Sequence, residues 1–508
     1  MDGKQQQHIA IIGGGTAGWM AAAALARFTD RRITLVESDA IGTVGVGEAT
    51  IPQIRLFNAG LGFDEAEFLR ETKGSFKLGI EFSGWSGEGS RYMHAFGQVG
   101  HAAGLLPFHQ YYLRAKAEGL AGDLSAYALN DVAAHANAMQ MWRSEPGKPA
   151  PDMPWAYHFD ASLYAAFLRR YAEAKGVTRI EGKVGKVTIA ADDGDIGAVS
   201  LDGDRRVEAD FFIDCTGFRA LLLGEALDAP FDDWSDWLPC DRAVAVPGTT
   251  TGDFTPYTTA TARKAGWQWR IPLQHRVGNG HVYCSSFQSD DEALATLLDS
   301  LDGEPMAEPN LLRFTTGMRW EQWRGNCLAL GLAAGFMEPM ESTSIHLIQS
   351  GIARFLQMLP DARSDPRAHS AMAREFNRQA AFEWESIRDF LVLHYYANAR
   401  HGEPFWDRMR NMDLPETLTA RIECFRANGY IHREHEELFT EPGWLQVMLG
   451  QGIEPRGWNP IAGAMPAADL ARMMRNIAER NAAIVAQMPG HLEFLRATIR
   501  PPEMRKSA

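Results

Sequence analysis

Cysteine is scarce in this chain: five residues in 508 (Cys215, Cys240, Cys284, Cys327 and Cys424), an odd number with no CxxC pair. That spacing offers neither a disulfide framework nor a zinc site, so no metal is expected and a reducing compartment fits best. Basic residues are outnumbered, 50 Lys and Arg against 64 Asp and Glu, leaving a formal net charge of −14. Nucleic-acid binders normally carry a basic patch, so no nucleic-acid partner is expected. No run approaches the ~18 to 20 apolar residues that span a bilayer. The opening MDGKQQQHIAIIGGG has no positive region followed by an apolar stretch and a cleavage site. The expectation is a cytoplasmic protein with no membrane partner. Gly/Ser-rich linkers, internal repeats and low-complexity tracts are absent as well, so no flexible joint divides the chain.

What is present is a long chain rich in aromatics, with 14 Trp and 26 Phe. That number fits large apolar cavities or, equally, a dense core. The length exceeds what one hydrophobic core supports, which calls for two domains or one large elaboration. Residues 1–360 mix strand and turn signals, whereas from about Pro360 the pattern turns to amphipathic helix, as in Ala368 to Arg400. The expected division is therefore a nucleotide-binding module over 1–360 and a mainly helical region over 361–508 that packs on it and helps form a substrate pocket.

The first module opens on apolar Ile9-Ala-Ile-Ile12, the turn GGGTAG and the helix-forming Met20 to Arg27, then a second strand RITLVE ending at Glu37. Gly13, Gly15 and Gly18 satisfy GxGxxG: the first permits the turn, the second lets a pyrophosphate approach the backbone, and the third allows close helix packing. Thr16 and Ala17 complete that turn. Glu37 stands where a carboxylate can accept hydrogen bonds from ribose hydroxyls, favouring a ribose without a 2′-phosphate. The glycines do not separate FAD from NAD. ADFFID (209–214) with Asp214-Cys-Thr-Gly217, and CLALG (327–331) running on to Gly335, look like later strands of FAD-binding monooxygenases that return to the cofactor near 209–220 and 327–346. A second glycine-rich loop, Gly42 to Pro52, holds Gly45, Gly47, Glu48 and Ala49, and reads either as a cofactor wrap or as a surface loop.

Taken together, GGGTAGWM, GVGEATIP, GSFKLGIEF, GWQWRIP and GFMEPMESTSIHL resemble the flavin-dependent tryptophan halogenases, and the resemblance runs from the first strand into the C-terminal helices. The glycine motif is common to many flavoproteins; the lysine, WxWxIP and EPxEST segments are specific. The resemblance implies an α/β fold: a Rossmann-like FAD-binding monooxygenase module, a substrate-site sheet and a helical C-terminal region. It implies that a separate flavin reductase supplies FADH2 and that O2 adds to form a C4a-hydroperoxide. Chloride or bromide attacks this to release hypohalous acid, which crosses a tunnel to a small aromatic substrate. Lys77 meets the oxidant there, Glu341 stabilises and deprotonates the ring intermediate, and the amides of Thr343 and Ser344 hold the halide. Glycine is usual at the position of Ser344, so the halide-site geometry is open at that point. A homodimer is a family-level expectation.

The residue types suit those roles. An amine can donate a proton to departing hydroxide or be halogenated itself, and an apolar setting such as Phe76-Lys77-Leu78 makes both of its protonation states accessible. Glu338 and Glu341 would share one face of a helical turn, and Ser342-Thr-Ser would start a helix with hydroxyl caps whose free amides suit an anion. Trp267 and Trp269 alternate along a strand and point to one face, as core aromatics or as the pair that separates flavin from substrate. His94 and Phe96 match residues lining the family's aromatic site, or serve as structural packing. Ungapped alignment puts Glu434, Leu438 and Phe439 near the late substrate residues of free-tryptophan halogenases, with Ala427 and Asn428 in place of a tyrosine pair. That incomplete amino-acid clamp favours indole, a substituted indole or a larger indole-bearing molecule. The alternatives are a flavin-dependent aromatic hydroxylase and a flavin-binding protein without catalysis.

Overall fold

Continuous apolar runs such as Ile9–Ile12 and Phe211–Ile213 must be covered on both faces, which is the condition for a parallel sheet between helices. A computed structural model of the chain describes residues 7–40, 47–142, 150–192, 194–250, 254–359, 366–434 and 436–500. It divides into two compact units, each assembled from three stretches: 1–74, 159–241 and 313–385 form one, and 75–158, 242–312 and 386–508 the other.

In the first unit a six-stranded sheet runs in the order Trp323–Arg324, Cys327–Ala329, Phe211–Asp214, His8–Ile12, Arg32–Glu37, Thr178–Glu181. Its strands are parallel except at the Trp323 edge, with Ile12 beside Asp214 on one flank and Val36 on the other. The order reverses at the central His8–Ile12 strand, so the crevice beyond its carboxyl end is the expected ligand position in such a sheet. The helix Thr16–Phe28 leaves that end and buries Gly18 to Leu25 without interruption.

Asp214 closes the neighbouring strand with no solvent exposure. Its Oδ1 accepts from the Thr216 amide at 3.0 Å and hydroxyl at 2.7 Å, and its Oδ2 from the Leu222 and Leu223 amides, both at 2.9 Å. One carboxylate thus shapes the whole turn that follows the strand.

The second unit is built on a seven-stranded sheet in the order Asn310–Arg313, Arg242–Gly248, Val277–Tyr283, Gly266–Pro272, Thr258–Arg263, Gly79–Ser83, Arg91–Ala95. Beside it, the three-residue strand Ser75–Lys77 pairs antiparallel with Ala156–His158. Helices Phe108–Ala117, Leu129–His135, Glu416–Asn428, Glu441–Gly450, Ala467–Val485 and His491–Thr498 also belong to this unit.

The compact units do not divide the chain at residue 360. Strands that pair come from distant stretches, so each unit collects segments from both sides of that point, and the helix Pro366–Tyr396 contributes to both. The change of pattern near 360 is nonetheless physical, since every regular element described after it is helical. Among the described residues no helix is long and apolar enough to cross a membrane.

Replacing Asp214 by Ala leaves four donors without their acceptor, and a loss of about 3 kcal/mol in stability is expected. Thermal denaturation of the flavin-free protein measures it, and an unchanged midpoint would contradict this account of the turn.

Candidate functional site

The sequence-predicted residues fall in both units. In the first, the glycine turn behaves as three different positions. Gly13 has φ +113°, and a Cβ there would lie 2.1 Å from the Cys215 carbonyl oxygen; a Cβ on Gly18 would lie 1.8 Å from the Gly13 carbonyl oxygen. Both glycines are therefore required by the protein's own packing. Gly15 is different: a Cβ there meets nothing within 4 Å. It caps the helix that begins with Thr16 and Ala17, as a glycine it brings no side chain to that end, and the first turn holds no acid. Open space before uncapped amides at a helix N-terminus is what a pyrophosphate needs. Gly14, which the motif leaves unspecified, is also constrained, because its Cβ would meet Glu37 Oε2 at 1.6 Å.

Glu37 is not left free for a ribose. Arg179 Nε donates to its Oε1 at 2.5 Å, Arg169 Nη1 stands 3.5 Å from the same oxygen, and Trp19 Nε1 donates to Oε2 at 3.2 Å. These contacts fix the carboxylate beneath the turn, and its remaining acceptor capacity is what a ligand could use. Gly331, at φ +63°, brings the late segment against the turn: a Cβ there would lie 2.8 Å from the Ala17 Cβ. Gly335 (φ +156°) lies so close to the Gly317 carbonyl that a Cβ would sit 2.5 Å from its oxygen. Gly47, Glu48 and Ala49 form a short strand, and burial pushes the Glu48 carboxyl up to about 7. Gly45 lies outside the described residues.

Glu338 and Glu341 are both fully buried. Glu341 closes the short 3₁₀ turn Pro339–Glu341, while Glu338 precedes it in extended backbone, so they flank one turn rather than share a helix face. Ser342 follows with φ +59°, a left-handed conformation unusual for a residue with a side chain. The next helix begins at Ser344, but Thr343 at its cap makes no side-chain capping bond. The expected hydroxyl cap is absent because Thr343 has helical φ/ψ (−90°, −11°), which does not give the extended geometry a cap uses. The cluster behind this helix was not foreseen. His346 Nε2, Ser350 Oγ and Arg354 Nη2 all reach the Glu383 carboxylate, at 2.9, 2.8 and 2.8 Å. Burial alone would raise that carboxyl, but His346 and Arg354 outweigh it and hold Glu383 at about 2. The i, i+4, i+8 spacing of the three donors was the available signal.

In the second unit Lys77 has no solvent exposure and its Nζ stands 5.4 Å from the centre of the Phe96 ring. The adjoining backbone is pinned: the Leu78 amide donates to Pro256 at 2.7 Å, and the Phe96 amide to Leu78 at 2.9 Å. Trp267 and Trp269 lie on one strand with ring centres 6.1 Å apart, both buried. Trp269 lies across the neighbouring strand, where a Cβ on Gly280 would meet its ring at 2.0 Å, so Gly280 is the seat of that indole. His94 joins a buried aromatic group: its ring centre is 5.4 Å from Phe390 and 5.8 Å from Phe439, and the two phenylalanines stack at 3.9 Å.

Glu434 is not brought into that group. Its side chain is 60% exposed and lies 3.5 Å from His432 Nε2. The buried acid of this segment is Glu437, bonded to Arg421 Nη2 at 2.6 Å, with the Arg421 guanidinium 4.0 Å over Trp444. Ala427 and Asn428 are exposed at the end of the helix Glu416–Asn428.

Comparisons with known proteins give the family of the chain. The sequence profile described as tryptophan halogenase matches residues 8–467. The tryptophan 7-halogenase RebH of Lentzea aerocolonigenes is 33% identical, the match covering 98% of this chain and 99% of that protein. The solved structure of Xcc4156, a flavin-dependent halogenase from Xanthomonas campestris, matches with TM-score 0.93 and 47% identity over 98% of this chain and 99% of that one. BrvH, a flavin-dependent halogenase from Brevundimonas sp. BAL3, matches with TM-score 0.92 and 43% identity over 98% and 100%.

The different surroundings of Gly18 and Gly15 separate two variants. Gly18→Ala is expected to lower the melting temperature, whereas Gly15→Ala should melt like wild type and lose at least about tenfold in FAD affinity through its obstructed helix end. Flavin fluorescence titration beside thermal denaturation reads both, and equal FAD affinity of Gly15→Ala and wild type would remove the pyrophosphate from this turn. Glu48 gives a pH signature. A carboxyl raised to about 7 in the folded state favours the native protein below its ordinary value, and this advantage fades as pH rises through about 7. Glu48→Gln should therefore gain stability relative to wild type at pH 8 but not at pH 5, measured by denaturation of the flavin-free proteins.

Proposed function

This chain belongs to the tryptophan halogenase family of flavin-dependent halogenases, and from that premise we propose that it halogenates indole or a related electron-rich aromatic, with Lys77 receiving the oxidant and Glu341 taking the ring proton. The observation that carries this reading is a lysine with no solvent exposure facing an aromatic ring. Burying an ammonium is costly, and a protein retains one only where its surroundings or its chemistry require it.

Reduced FAD, supplied by a separate reductase, provides hypohalous acid from O2 and chloride or bromide when bound. The Thr16 helix end would hold the pyrophosphate, with Gly13 and Gly18 fixing the turn, and Glu37, the Glu48 strand, Gly331 and Gly335 would border the same cofactor. The amides of Thr343 and Ser344, at the start of a helix anchored through Glu383, hold the halide. Lys77 presents its amine to the oxidant as hydrogen-bond donor or haloamine, and the substrate ring lies among His94, Phe96 and Phe439. The buried Glu341 carboxylate stabilises the cationic ring and removes its proton. Trp267 and Trp269 keep the flavin from the organic substrate.

Free tryptophan is the less favoured substrate. Its ammonium and carboxylate would need buried partners, and the residues aligned with that clamp, Glu434, Ala427 and Asn428, are solvent-exposed. The test supplies FADH2, O2 and bromide or chloride with indole and with tryptophan in parallel, followed by mass spectrometry. Halide-dependent product from indole is expected, with Lys77→Ala and Glu341→Gln each slower by at least about a hundredfold. Incorporation of oxygen alone would favour a hydroxylase, and product from tryptophan but not indole would overturn the substrate reading.

A further inference from the structure

The strand that carries Lys77 is only three residues long, Ser75–Lys77, and a ladder of that length holds direction weakly. Its other polar side chain is Ser75, which shares a face with Lys77 because strand residues alternate. Ser75 is fully buried and sits between two partners: its Oγ donates to the Pro272 carbonyl at 2.8 Å and lies 3.1 Å from His158 Nδ1. His158, also fully buried, lies on the strand opposite, and its Nε2 is 2.9 Å from Thr258 Oγ1.

The protons of this chain of bonds are assigned by its ends. A carbonyl cannot donate, so the single Ser75 proton goes to Pro272 and His158 Nδ1–H must donate to Ser75 Oγ. Burial holds the His158 pKa well below its ordinary value, with the positive charge of Lys77 and then His491 and Arg270 acting the same way. The ring is thus neutral, and Nε2 accepts from the Thr258 hydroxyl. Each donor and each ring nitrogen then has one use.

The two ends of the chain matter because of where they are anchored. Pro272 ends the strand that carries Trp267 and Trp269, and Thr258 opens the strand paired with it. Ser75 therefore ties the rotation of the Lys77 strand about its axis to the sheet that holds the tryptophans.

We propose that Ser75, His158 and Thr258 form a positioning clamp that aims the Lys77 amine, so that oxidant made by the enzyme is transferred to substrate rather than lost to solvent. The inference rests on the role given to Lys77 above, and it adds three residues that act through the Lys77 strand. A shift of the amine by even about 1 Å would misalign transfer, and such errors cost up to about a hundredfold when geometry governs the rate.

The test uses the full-length enzyme with FADH2, O2, bromide and indole, and measures brominated indole together with oxidant escaping to a bulk thioether. Ser75→Ala and Thr258→Val are expected to lower the fraction of oxidant captured as product by about tenfold, with total oxidant and the KM for indole unchanged. Thr258→Ser, which restores the hydroxyl, should return that fraction close to wild type; a purely structural role for the site would lower total oxidant and product together. The proposal is overturned if Ser75→Ala and Thr258→Val keep the wild-type product fraction, if Thr258→Ser fares no better than Thr258→Val, or if total oxidant falls as far as product. Lys77→Ala, run in parallel, separates the two readings. If it keeps product formation, the role of Lys77 fails and the clamp with it; if it abolishes product while the clamp variants do not, the clamp alone fails.

Discussion

Ionisable side chains with no access to water set the terms for both units of this protein. Lys77, Glu338 and Glu341 are fully buried, and a buried charge is tolerable only when fixed groups replace the water it gave up. The backbone around Lys77 and Glu341 is correspondingly constrained. The Lys77 strand is held through Ser75, Leu78 and Phe96, and the Glu341 turn runs into a left-handed Ser342 and a helix anchored by Glu383. Rigidity at these points is a condition of burying charge and at the same time a condition of aiming it.

The first unit applies the same logic to a ligand in place of a side chain. Gly13 and Gly18 are glycines because main chain approaches main chain, whereas Gly15 faces open space. Only the last is available to a cofactor, and only there does the protein itself make no demand. Around it the charge of Glu37 is pinned by Arg179 and Trp19, so the floor of the turn is set before any ligand arrives. The helix N-terminus beyond it, whose cap residue is a glycine and brings no side chain, then offers backbone donors to an anion.

The sequence was most legible where a physical requirement is local. The opening strand, turn and helix at His8–Phe28, the parallel partners at Arg32–Glu37 and Phe211–Asp214, and the long helix after 360 all follow from period and glycine placement. The division into units was hidden, because pairing of distant strands leaves no mark at a single boundary. Side-chain partnerships were hidden for the same reason. Nothing near Glu37 announces Arg179, and nothing near His346 announces Glu383, since each pair is closed by tertiary contact. In the late segment an ungapped alignment pointed to Glu434, but the fold turned that residue outward and buried Glu437, whose guanidinium partner stacks on Trp444.

Ser344 shows how a departure in sequence can be absorbed by geometry. Glycine at that position would matter if the backbone needed a positive φ, yet Ser344 is the first residue of a regular helix and the left-handed conformation falls two residues earlier, on Ser342. A serine at 344 therefore costs no backbone strain. What it changes is the space beside the first amides of the helix, where a hydroxyl now stands in place of hydrogen. In the halide site proposed here that hydroxyl would be both a steric limit and an extra donor, so the size and hydration of the anion are the quantities on which the substitution would act.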